Sequence, residues 1–136
     1  MALEYAKVTF LRIYTGEDVI LGDIPLYKAI LKEARRLGLA GGTAIKGMAG
    51  FAKKTRGEGK SIGYFVSGVA DAPIIIDIVD AKEKIAELLP WLDKNAKQSL
   101  VTLRETDILV TDYIRQRRQE IAQQTAKRIP PQQVQQ

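Results

Sequence analysis

The octapeptide "PIIIDIVD" at residues 73–80 constrains the fold more than any other stretch of the chain. It is almost wholly apolar and β-branched, and it is too short for a helix. Such a run reads as a strand buried on both faces in the middle of a sheet. Its Asp77 stands among isoleucines, where an unpaired carboxylate is costly. Pairing with a lysine, contact with a ligand and exposure on a wet sheet face are three ways to satisfy it.

The flanking segments supply partners for that strand. "KVTFLRIY" at residues 7–14 places Thr9, Leu11 and Ile13 on one face and Val8, Phe10 and Arg12 on the other, a strand buried mainly on one side. "TGEDVILGD" reads as connection. Pro25 opens a helix, with Asp23 placed to cap it. Leu26, Ile30, Ala34 and Leu37 recur at helical spacing, while Lys28, Lys32, Glu33, Arg35 and Arg36 take the wet side. Gly38 ends that helix in a left-handed conformation. A second strand is expected over residues 42–51, loosened by Gly47 and Gly50. Beyond a basic loop, "SIGYFVSG" resumes extended character, and the two segments form a long hairpin.

Asp80 and Glu83 have capping-box spacing for a second helix. Ile85, Leu88, Leu89 and Leu92 make its core stripe, and Pro90 kinks it. "SLVTLRETDILV" supplies a last strand, interrupted at its charged middle. The resulting order is an α+β, ferredoxin-like βαββαβ plan, an antiparallel sheet with both helices on one face. The opposite face carries Val8, Phe10, Tyr14 and alternate residues of the 73–80 strand, too apolar for free exposure, so burial by oligomerisation is expected. The domain spans residues 1–112, and residues 113–136 form a basic tail. Its first part is helical with a thin stripe of Ile114 and Ile121. Its proline- and glutamine-rich end is expected to be disordered.

Composition removes whole classes of chemistry. With 136 residues and 46% hydrophobic content the chain can build one real core. It contains no cysteine and no histidine. The usual general base, thiol nucleophile and zinc ligands are therefore missing, along with Ser-His-Asp and Cys-His mechanisms. No catalytic constellation stands out, and the chain is expected not to be an enzyme. No apolar run is long enough to span a bilayer and no secretory signal is evident, which fits a cytoplasmic address.

The net charge of +5 is concentrated in two places. One is a loop with Lys53, Lys54, Arg56 and Lys60; the other is the tail with Arg115, Arg117, Arg118, Lys127 and Arg128. Either can attract anions or simply be a solvated face. Within the loop, "KKTRGEGKSIG" contains the Gly59-Lys60-Ser61 ending of a Walker loop. That motif needs glycine at position 54, where lysine stands, and a helix afterwards, where strand-like sequence follows. The Walker reading fails.

"LRIYTGE", "PLYKAILKEARRLGLAGGTAIKGMAGF" and "PIIIDIVDAKEKIAELLPWLD" together resemble the family known as domain of unknown function 190, itself similar to the PII signal-transduction proteins. The resemblance runs from about Val8 to Val110. It implies a ferredoxin-like subunit in a homotrimer with sheets facing inward. It also implies adenine nucleotide (AMP, ADP or ATP) bound in clefts between subunits, and a signalling loop that contacts a membrane transporter or an enzyme. Gly41-Gly42-Thr43 is similar to the PII "G-x-T", whose threonine lies near the adenine. Gly50-Phe51-Ala52 is similar to "G-F-G" at the loop base, one residue further on, so a bulge is expected. Ile76-Asp77-Ile78-Val79 is similar to "I-E-I-V". The glycine-rich phosphate loop "T-G-x-x-G-D-G" is replaced by "KNAKQSLVTL", which leaves Lys97, Gln98 and Ser99 as polar candidates. Arg115 and Arg117 only loosely echo the C-terminal arginines of PII.

The expected ligand residues are thus Gly41, Gly42, Thr43, Gly50, Phe51, Lys53, Lys54, Asp77, Lys97 and Ser99. Arg56 and Lys60 in loop 52–61 are expected to face a partner. The reading from a different class is a nucleic-acid-binding or scaffold protein that uses the basic loop and tail. Aromatics are not interleaved with those basic residues, which disfavours single-strand stacking.

Overall fold

The computed structural model describes residues 2–51 and 72–128. In chain order the elements are β1 (Tyr5–Gly16), β2 (Ile20–Leu21), β3 (Ile24–Pro25), α1 (Leu26–Arg36), β4 (Thr43–Lys46), β5 (Pro73–Asp80), α2 (Lys82–Asn95), β6 (Leu100–Leu109) and α3 (Asp112–Arg128). The main sheet has the order β4-β5-β1-β6, and β5 runs antiparallel to both of its neighbours. This is the ferredoxin-like α+β arrangement.

The apolar octapeptide therefore does become a central strand. Leu11 pairs with Ile78 and Ile13 with Ile76, so the odd positions of β1 and the even positions of β5 share one face. Ile30 and Ala34 of α1 and Ile85, Leu88 and Leu92 of α2 close over that face in a single buried cluster. Leu11, Ile13, Ile30, Ile76 and Leu88 lose all contact with solvent. Burial of such side chains contributes about 1.5–3 kcal/mol each relative to exposure.

Several local expectations need correction. β4 ends at Lys46 instead of continuing to residue 51. The Gly47 N–H donates to the Pro73 carbonyl at 2.7 Å, and the ladder goes no further. The partner of β4 is β5; the "SIGYFVSG" segment expected to form its hairpin lies outside the described residues. The connection after β1 contains the small β2–β3 pair, which turns at Gly22. β6 is continuous through its charged middle, because alternate polar residues suit a strand with an exposed face.

The capping box does not form. α2 starts after Ala81 with no side-chain cap, and α1 likewise makes no cap bond from Asp23. The buried Asp80 carboxylate instead accepts the N–H of Ala81 at 2.8 Å and of Ala40 at 2.9 Å. The buried Lys84 ammonium donates to the Leu37 carbonyl at 2.8 Å and pairs with Glu87 at 2.9 Å. A cation suits that position, because the last carbonyls of a helix lack partners and carry partial negative charge. Asp80 and Lys84 thus tie the end of α1 and the following turn to β5 and α2.

That turn follows the rules of helix termination. Gly38 has φ +82°, its N–H reaches the Arg35 carbonyl, and the Leu39 N–H reaches the Ala34 carbonyl.

Of the described residues, 7–51 and 72–106 form one compact unit, and 2–6 and 107–128 form a second, in which the Val110 N–H donates to the Glu4 carbonyl at 2.8 Å. There the Glu4 carboxylate lies 3.8 Å from both Arg115 and Arg118 of α3. No described helix is long and apolar enough to cross a membrane.

Gly38→Ala forces a Cβ into left-handed backbone and should cost about 1–2 kcal/mol in urea-unfolding measurements. Gly41→Ala serves as the control, since an added methyl there meets nothing within 4 Å and φ is ordinary. Equal losses in the two variants would contradict the role given to Gly38.

Candidate ligand cleft

The end of β1, the chain just beyond β4 and the α2–β6 turn converge on a cleft of about 910 Å³ in the larger unit. That volume is within the range of small-molecule sites. Its apolar wall comes from Tyr14, Val19, Leu26, Phe51, Ile74 and Ile75. Its polar groups are Thr15 and Asp18 on one side and Lys94, Asn95, Lys97, Gln98 and Ser99 on the other. The Thr15 hydroxyl is enclosed and finds no hydrogen-bond partner among the described residues. Beside it, Glu17 pairs with Lys46 at 2.8 Å, and its N–H donates to the Ala72 carbonyl at 3.0 Å. These bonds hold β1, β4 and the start of β5 together at the cleft.

The α2–β6 turn is shaped by its own backbone. Ala96 is buried and donates its N–H to the Leu92 carbonyl at 2.8 Å, while Ser99 donates to the Ala96 carbonyl at 3.0 Å. The Asn95 side-chain amide donates to the Trp91 carbonyl at 3.0 Å. Lys94 and Lys97 are exposed.

A second polar cluster occupies the sheet face turned away from the helices. Arg12 and Asp77 sit opposite each other in the β1–β5 register and form two hydrogen bonds, Nε to Oδ1 at 2.7 Å and Nη2 to Oδ2 at 2.8 Å. The Asp77 carboxylate, and secondarily Tyr14, hold the Arg12 guanidinium above its already high ordinary pKa. Asp77 therefore finds an arginine, where a lysine was one of the expected partners. The Phe10 ring lies between Arg104 at 4.4 Å and Arg12 at 5.5 Å. Around this cluster Tyr14, Ile45 and Val79 remain substantially exposed.

The structure divides the expected ligand residues into groups. Gly50, Phe51, Lys97 and Ser99 line the cleft together. Thr43 lies on the outer sheet face opposite Asp77, away from the cleft lining. Gly41 leads into β4. Gly42 is a packing position, where a Cβ would stand 2.9 Å from Leu31 and 3.4 Å from Ile78. Lys53, Lys54, Arg56 and Lys60 lie outside the described residues. Tyr14, Thr15, Asp18 and Lys94 are cleft residues that the sequence reading did not single out. The only trace of the first three was the polar step "YTGED" at the end of an otherwise apolar strand. No group of three or more acidic side chains placed to hold a metal ion occurs among the described residues.

The family model of domain of unknown function 190, described as Uncharacterized ACR, matches residues 8–108, the span that builds both the sheet and the cleft. The chain belongs to this family. A UPF0166 protein of Aquifex aeolicus is 29% identical over 107 residues, covering 79% of this chain and 98% of the relative. A UPF0166 protein of Methanocaldococcus jannaschii is 36% identical over 87 residues, covering 63% of this chain and 76% of the relative. Among solved structures, CPII of Thiomonas intermedia K12, a nitrogen regulatory PII-like protein, is similar in fold. Its form bound to ADP, AMP and bicarbonate has a TM-score of 0.52 at 17% identity, covering 79% of this chain and 92% of that one. The form bound to ADP and bicarbonate also has a TM-score of 0.52, at 20% identity, covering 80% and 93%. The fold of this family member is thus PII-like.

The Arg12–Asp77 pair makes a prediction that separates pairing from simple polarity. Asp77→Ala removes the carboxylate that accepts two hydrogen bonds from the half-buried Arg12 guanidinium and should lower the unfolding midpoint. The double variant Arg12→Leu/Asp77→Leu should recover part of that loss, as happens when a partly buried ion pair is replaced as a unit. Urea melts of the singles and the double test this; additive losses would show that the two side chains are not coupled.

Proposed function

We propose that this DUF190 chain is a PII-like regulatory protein that binds a small anionic ligand, an adenine nucleotide, and does not act as an enzyme. The observation that carries the reading is the composition of the cleft: apolar walls facing two exposed lysines, Lys94 at the end of α2 and Lys97 in the turn that follows. CPII, which shares the fold, has been solved with ADP and AMP bound.

In this reading three copies assemble through the sheet face that carries Tyr14, Ile45 and Val79. Tyr14 and Ile75 belong both to that face and to the cleft lining. A neighbouring subunit would then form part of the ligand site. Loop 52–61 follows the cleft residue Phe51 in sequence, and in this reading it reports the ligand state to a transporter or enzyme in the cytoplasm.

Calorimetry with AMP, ADP and ATP, together with light scattering, tests the proposal. Saturable binding by at least one nucleotide and a mass of three subunits are expected. Ala49→Trp, which places an indole in the cleft lining, should weaken binding while leaving the fold intact by circular dichroism. A monomer would remove the inter-subunit site. Absence of any nucleotide response, with nucleic-acid affinity falling steeply with salt, would replace this reading with the nucleic-acid one.

A further inference from the structure

Three chain segments that line the cleft meet at a residue that does not line it. The turn after β1 runs from Gly16 to Val19 and is closed by the Val19 N–H, which donates to the Gly16 carbonyl at 3.2 Å. Around Glu17 in that turn, Thr15 and Asp18 line the cleft. The other two segments contribute Gly47 and Gly50 beyond β4, and Pro73 and Ile74 at the start of β5. Neither Glu17 nor Lys46 belongs to that lining.

Glu17 nevertheless contacts both of the other segments. Its N–H donates to the carbonyl of Ala72, the residue before β5, at 3.0 Å. Its Oε1 stands 2.8 Å from Nζ of Lys46, the last residue of β4. The Gly47 N–H, on the Pro73 carbonyl at 2.7 Å, completes the junction. A Cβ at residue 47 would stand 2.7 Å from Pro73 Cγ, so this close approach requires glycine.

The junction lies where the sheet no longer holds the chain. The β1–β5 pairing ends at Gly16 and Pro73, and β4 ends at Lys46. Beyond those points the spacing of the three segments depends on individual contacts. The Glu17 side chain is 24% exposed, and the oxygen that meets Lys46 is shielded from solvent, which limits the screening of their attraction. A site wall fixed before the ligand arrives spares binding the cost of ordering it.

We infer that Glu17 is a positioning residue of the cleft: through Lys46 and the Ala72 carbonyl it sets the spacing of the three walls and raises ligand affinity without touching the ligand; this rests on the nucleotide reading above. The sign of the effect separates positioning from direct action on ligand charge. A carboxylate repels a nearby anionic ligand and a lysine attracts it. Direct action therefore makes loss of Glu17 strengthen binding and loss of Lys46 weaken it. Positioning makes both losses weaken binding, because each breaks the same contact.

The test is calorimetry on the full chain with AMP, ADP and ATP, comparing the unsubstituted protein with Glu17→Gln, Lys46→Met and the double variant. Unfolding midpoints are recorded in parallel. Each single variant should weaken every nucleotide that binds by about threefold, within the range of one partly exposed ion pair. The double variant should lose no more than the weaker single, since the two residues share one contact. Opposite signs for the two singles would assign them to direct action on the ligand. Unchanged affinities with lowered midpoints would make the pair purely structural. Additive losses in the double would show that the two residues act separately. Each of these three results overturns the positioning role and leaves the nucleotide reading standing. If the unsubstituted protein binds none of the three nucleotides, the nucleotide reading fails and the inference falls with it.

Discussion

β5 organises both faces of the sheet. Its even positions, Ile74, Ile76 and Ile78, are buried under the two helices, with exposures of 5%, 0% and 1%. Its odd positions, Ile75, Asp77 and Val79, look the other way, and Asp77 meets Arg12 there. A one-residue slip against β1 would move every isoleucine to the wrong face and separate the ion pair. Apolar burial and the bidentate pair therefore specify the same register. The strand also ends in Asp80, whose carboxylate holds the turn after α1, so the position of β4 depends on it as well.

The cleft is a consequence of this frame. β1 and β5 end side by side, and Gly16 pairs with Pro73 at the limit of the ladder. Just beyond that limit the Glu17 N–H still reaches the Ala72 carbonyl, while β4 has already stopped at Lys46. The α2–β6 turn returns to the same end of the sheet. Three irregular segments on a rigid ladder enclose the space, the usual relation between loops that carry function and the scaffold that positions them. The site is polar where the turn approaches, and where the strands end it is mostly apolar, with Thr15 and Asp18 as its polar groups.

Much of the fold was legible because the signals were periodic or steric. The run at residues 73–80, the 3.6-residue pattern of α1 and the left-handed glycine at position 38 each depend on a few neighbours in sequence. The expectations that failed involved competition for partners. Asp80 and Glu83 have capping-box spacing, yet the Ala40 N–H, forty positions away, takes the aspartate. Residues 42–51 look extended throughout, yet the ladder stops where the Gly47 N–H meets Pro73. The same limit applied to the site. Gly50, Phe51, Lys97 and Ser99 could be named in advance through the family resemblance. Tyr14, Thr15 and Asp18 could not, because nothing local marks a strand exit as the wall of a cleft.

Sequence alone thus determined the principal helices and strands among the described residues, the central place of the apolar strand, the absence of thiol and imidazole chemistry and the family. These follow from side-chain volume, periodicity and residue identity, which no tertiary contact alters. Tertiary structure decided which polar group each buried carboxylate answers, where β4 ends and which distant residues share the cleft. Those outcomes depend on long-range contacts, where several donors compete for one acceptor and only the packed chain selects among them.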